Sequence, residues 1–187
     1  CMTCRVCPAL AAVGVMVLLA LSSGCSREKN IVPTGILEGD KYLMERGTEL
    51  IAKKKWFQAR EYYRQLVDNY PQSNYRPDAK LGLGDTYLGA KSAESLVMAQ
   101  NEYREFLTFY PTHPRADYAQ FKLGMCHFEQ MLAPDRDQTE TKEAVAELTL
   151  FTQRYPQSGM LEEGRGKLRE ARNRLTESEY KVGYFYW

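Results

Sequence analysis

Three cysteines stand at Cys-x-x-Cys-x-x-Cys spacing, Cys1, Cys4 and Cys7. Thiolates at that spacing are ligands for zinc or an iron–sulfur cluster. They precede an uncharged 13-residue run, Ala9 to Leu21, with Arg5 the only charge ahead of it. Such a run is too short to cross a bilayer, which takes about 20 residues. It reads instead as the apolar part of a secretory signal over residues 1–24, and the three thiols are expected to leave with it. His113 lies in the turn Pro111-Thr112-His113-Pro114, and His127 lies on a helix beside Phe128. Neither has a second histidine or an acid pair at a metal-ligand spacing along the chain. Asp135 and Asp137 lack the glycine and glutamate of a calcium loop. Glu162 and Glu163 are neighbours on a helix and point in different directions. No Gly-rich phosphate loop and no nucleophile elbow occurs. The expectation is a protein with no enzymatic site, no metal and no dissociable cofactor.

The cysteine that matters is Cys25, at the end of Leu21-Ser22-Ser23-Gly24-Cys25. This segment resembles the lipobox of bacterial lipoproteins, with its leucine one step further back than is commonest. The resemblance implies cleavage before Cys25, diacylglycerol on the thiol and an acyl group on the new amine. Each buried methylene is worth about 0.8 kcal/mol, so three chains hold where one binds only marginally. Ser26, where aspartate would mark inner-membrane retention, implies the periplasmic face of the outer membrane. Residues 25–37 then form a tether that can reach roughly 40 Å when extended. Only Cys126 remains besides Cys25, so no internal disulfide is expected and Cys126 reads as a small core residue. The chain holds 25 basic and 24 acidic residues. Without Arg5 the balance is even, which excludes the basic face that nucleic acid requires.

Tyr-Pro recurs at Tyr70-Pro71, Tyr110-Pro111 and Tyr155-Pro156, spaced by 40 and 45 residues. Proline lacks an N–H and disfavours helix in the residue before it, so each copy ends a helix. Counting back from each proline gives a common pattern: Ala59, Tyr63 and Leu66; Ala99, Tyr103 and Phe106; Ala144, Leu148 and Phe151. Gly47, Gly84 and Gly124 supply the small residues of the partner helix. From these to the alanines is 12, 15 and 20 residues, so the intervening turn lengthens along the chain, at low cost in loop entropy. The strand signal is weak throughout. The reading is all-α: a tetratricopeptide-like α-solenoid of stacked antiparallel helix pairs over residues 38–187. It comprises about three repeats and the first helix of a further one. Tyr42, Tyr87 and Tyr118 are the expected peptide- or partner-binding residues of a groove lined by first helices, each equally readable as a packing residue between helices. Val182, Gly183 and Tyr186 are expected at the first-helix positions of the fourth unit.

Tyr110-Pro111-Thr112-His113-Pro114, Asp117-Tyr118, Gly124, Asp135-Arg136-Asp137, Tyr155-Pro156-Gln157-Ser158 and Arg174-Leu175 with Glu179-Tyr180-x-Val182 resemble the BamD (YfiO/ComL) family. That family comprises lipoprotein subunits of the outer-membrane β-barrel assembly machinery. The resemblance implies five repeats on a lipid anchor, a non-catalytic scaffold with three kinds of partner. These are the barrel-assembly protein and its accessory lipoproteins, unfolded outer-membrane proteins, and the membrane through its lipid. It also implies that the chain is C-terminally truncated, because a second helix should follow Trp187. Two alternatives stay open: a periplasmic repeat protein of the Tol–Pal-associated division type, and an enzyme with a catalytic domain beyond Trp187.

Overall fold

The computed structural model describes Val32 and residues 37–187. The expected signal, the lipidation site Cys25 and nearly all of the tether lie outside the described residues. Among the described residues seven helices follow one another: α1 (Gly39–Ala52), α2 (Trp56–Asn69), α3 (Arg76–Ala90), α4 (Ala93–Phe109), α5 (Ala116–Phe128), α6 (Thr139–Arg154) and α7 (Leu161–Tyr186). No strand occurs among the described residues. Each helix packs on the next, and the first helices also touch, α1 on α3 and α5 on α7. None of the described helices is long and apolar enough to cross a membrane.

The Tyr-Pro phrases end α2, α4 and α6 in one shared geometry. Tyr70, Tyr110 and Tyr155 adopt φ,ψ of −125°,64°, −130°,52° and −124°,59°. Each donates its N–H four residues back, to the carbonyls of Leu66, Phe106 and Phe151. Each carbonyl then accepts from the N–H of Ser73, His113 or Ser158. The proline between cannot extend the helix, so the chain turns and the next first helix starts within six residues.

The core repeats as the sequence repeats. Ala59, Ala99 and Ala144 are fully buried, as are Leu66, Phe106 and Phe151, three residues after Tyr63, Tyr103 and Leu148. Tyr63 lies against two first helices at once. A Cβ on Gly47 or on Gly82 would come within 2.6 or 2.7 Å of its ring. Any side chain at either position would push that ring out of the seam.

The fourth unit begins earlier than expected. Counted from Pro71, Pro111 and Pro156, the buried trios Ala79/Leu83/Thr86, Ala119/Leu123/Cys126 and Gly164/Leu168/Ala171 fall at the same offsets. Hence α7 takes its place in the array with its first half. Val182 and Tyr186 are exposed and Gly183 has nothing within 4 Å, which corrects the register read from the sequence. The reason is that the helix runs unbroken for 26 residues, so its first turns reach the seam before those later residues do.

Candidate functional site

The first helices α3, α5 and α7 border a cleft of about 360 Å³. Asp85, Leu88 and Gly89 face it from α3, because three and four residues is nearly one helical turn. Tyr118, Lys122, Met125 and Glu129 face it from α5 by the same rule. Trp56 closes one end. Its ring lies so close to Gly89 that a Cβ there would come within 2.8 Å.

Asp85 organises the floor of this cleft. Its Oδ1 accepts the hydroxyl of Tyr103 at 2.7 Å and that of Tyr118 at 2.8 Å. Burial raises the Asp85 carboxyl above the ordinary carboxylate value, and the two tyrosine hydrogen bonds oppose that rise only in part. Burial and the adjacent carboxylate push both phenols up, so both remain hydroxyl donors at neutral pH. Cations lie on the Tyr118 ring, with the Arg115 guanidinium 4.8 Å and Lys122 Nζ 5.3 Å from its centroid. The cleft therefore joins apolar walls to fixed charges of both signs.

Of the tyrosines expected from sequence, Tyr118 lines the cleft and the other two do not. Tyr87 lies two residues from Asp85, some 200° round the helix. It is buried in the seam beneath the Arg60 guanidinium, 3.9 Å from its ring centroid, and its hydroxyl accepts from Arg64 at 3.4 Å. Tyr42 is half-buried on α1, its ring 6.5 Å from that of Tyr62. The structure does not bring the three together.

His127 has no acid pair at a metal-ligand spacing along the chain, but the fold brings acids to it from α6. It is buried, and its Nδ1 lies 2.8 Å from Glu140 and 3.3 Å from Gln100, with Arg104 3.3 Å from Nε2. Arg104 can only donate, so Nε2 accepts and Nδ1–H donates to Glu140, which leaves the Gln100 amide nitrogen, itself a donor, as a neighbour of Nδ1 and not its hydrogen-bond partner. Ligand atoms of His127, Glu143 and Glu147 lie within 4.8 Å of one another, the one such group among the described residues able to hold a metal ion. Both ring nitrogens already have protein partners, and Glu147 accepts from Gln120 at 2.6 Å. Asp135 and Asp137 form no cation cage. Asp137 instead accepts the backbone N–H and hydroxyl of Thr139 at the start of α6. Cys126 is buried, and burial pushes its thiol up to about 12, which leaves it unreactive.

A stacked array of antiparallel helix pairs, each packed on the next, is an α-solenoid of the tetratricopeptide-like class. The family described as YfiO, outer membrane lipoprotein, matches residues 38–187, and the chain belongs to that family. An outer membrane protein assembly factor BamD of Caulobacter vibrioides is 28% identical over 182 residues, 96% of this chain and 58% of that protein. The BamD of Vibrio cholerae is 25% identical over 181 residues, 91% of this chain and 73% of that protein. That of Xylella fastidiosa is 23% identical over 183 residues, 92% and 61% respectively. The chain thus spans between 58% and 73% of the length of these relatives.

Proposed function

We propose that this chain is a non-catalytic, lipid-anchored scaffold of outer-membrane β-barrel assembly, held at the periplasmic face of the outer membrane through Cys25. Its first-helix groove receives an extended segment of an unfolded outer-membrane protein, and other faces bind the barrel-assembly protein and its accessory lipoproteins. The observation that carries this is the cleft between α3, α5 and α7. It offers Leu88 and Met125 for apolar side chains, with Lys122 and the Asp85–Tyr118 pair for polar backbone. Family membership supports the envelope setting.

A photo-crosslinking residue at Met125, compared with one at exposed Val97 on α4, tests the groove in intact envelopes. Crosslinks to unfolded outer-membrane proteins from Met125 above those from Val97 are expected. Equal yields from the two sites would remove the groove from the reading. Incorporation of labelled palmitate that is lost in Cys25→Ala tests the anchor separately.

A further inference from the structure

Pro71 has no N–H, so the carbonyl of Val67, four residues before it, loses its helical donor. Arg76, which opens α3, meets that need. Its Nε donates to the Val67 carbonyl at 3.3 Å and its Nη1 to the Tyr110 hydroxyl at 3.1 Å. One guanidinium thereby ties the end of α2 to the end of α4.

The third repeat has the same parts without the guanidinium. Pro111 deprives the Leu107 carbonyl of its donor in the same way. Tyr155 stands where Tyr110 stands. Ala116, eight residues before Gly124 as Arg76 is eight before Gly84, has nothing to donate. The Tyr155 hydroxyl is buried and has no hydrogen-bond partner. Beside it opens a cleft of about 430 Å³ lined by Pro111, His113, Ala116, Asp117, Tyr155 and Ser158, among others.

We propose that this cleft is a docking socket for an arginine side chain of a partner protein, which takes in trans the position Arg76 holds in cis one repeat earlier. The occupant follows from the chemistry left open. A buried phenol without a partner costs stability until a donor or acceptor reaches it. Asp117 adds the negative charge. Its oxygens accept the Tyr118 N–H and the Ser158 hydroxyl, both at 2.7 Å, and no cation of the described residues forms an ion pair with it. Arg154 also borders the cleft, but its guanidinium lies on the Tyr155 ring, 5.6 Å from the centroid, and leaves the hydroxyl unmet. A planar fork with several donors can serve hydroxyl, carboxylate and carbonyl together, where a lysine ammonium is a single point. This site is separate from the first-helix groove, and neither reading depends on the other.

The test is a titration of the isotope-labelled full chain with N-acetyl-arginine methylamide, followed by amide shifts. Saturable, weak binding that perturbs Ala116, His113 and Tyr155 is expected, and the neutral citrulline analogue should leave them unmoved. Tyr155→Phe should weaken binding about fivefold, the worth of one hydrogen bond, while Tyr110→Phe leaves it unchanged. Ala116→Arg should abolish it by filling the socket in cis. Should that variant not fold, Tyr155→Phe carries the test alone. Equal binding of the citrulline analogue, an unchanged affinity in Tyr155→Phe, or shifts at these residues with inorganic phosphate in place of the arginine probe would each overturn the proposal.

Discussion

In the second repeat, Tyr103 and Phe106 fill the core while Arg76 secures the Tyr-Pro turn at its edge. In the third, Leu148 and Phe151 fill the matching core positions, but the edge has lost its arginine. Leu148 replaces an aromatic without loss of burial, because a seam asks mainly for apolar volume. At the edge the exchange of Arg76 for Ala116 has a cost, since it leaves the buried Tyr155 hydroxyl without a hydrogen-bond partner. The turn serines diverge in the opposite sense. Ser158 donates to Asp117 at 2.7 Å, as Ser73 donates to Asp40 at 2.6 Å in the first repeat. The second repeat has His113 there and uses an Arg115–Asp78 ion pair at 3.0 Å instead. Repeats with one core thus carry individual edges.

The sharpest attack on this comparison is on the shared core. Phe106→Ala and Phe151→Ala should each cost about 3–5 kcal/mol, with no marked difference between repeats, as urea unfolding would report. A large gap would mean that the two cores are not equivalent. Next is Asp85, which has no carboxylate counterpart holding two phenols in the third repeat. Asp85→Ala leaves two hydroxyls unpaired and should cost about 2 kcal/mol.

Its pH dependence has a definite sign. Because the folded carboxyl is raised above 3.8, the folded state binds the proton more tightly than the unfolded one. That stability is fully present below the unfolded value and is lost as pH rises through the folded one. Asp85→Asn keeps an acceptor for the phenols and should flatten this part of the stability–pH curve. An unchanged slope would assign it to other groups.

Smaller still is the contrast at the edges. Tyr110→Phe loses the bond from Arg76 and should cost about 1 kcal/mol, whereas Tyr155→Phe should be neutral or stabilising in thermal melts. Smallest is the serine clasp. Ser158→Ala and Ser73→Ala should each cost about 0.5–1 kcal/mol.

Much of this architecture is legible in the sequence. Each Tyr-Pro marks a helix end to the residue, because proline acts through its own covalent structure and needs no tertiary context. The alanine and aromatic positions are legible for a similar reason: a fixed spacing on a helix fixes a face. What sequence reading missed depends on how elements meet. Glu140, Glu143 and Glu147 reach His127 across a loop whose path is set by its own bonds, such as Gln138 donating to the carbonyls of Ala133 and Arg136. Tyr87 and Tyr118 share a residue type, but one faces the seam and the other the cleft. The start of the fourth unit was available from the offset after Pro156. The conspicuous aromatic run at the end of α7 drew the register too far along.

The double seat of Tyr63 has a consequence for how the array comes apart. One ring closes the gap inside the first pair, at Gly47, and the gap to the second, at Gly82. Opening either gap strands the same side chain, so the two units share a single penalty. In a one-dimensional nearest-neighbour description, this is a strong coupling constant between adjacent sites. Melting that begins at one repeat should therefore run into the next instead of stopping at the boundary.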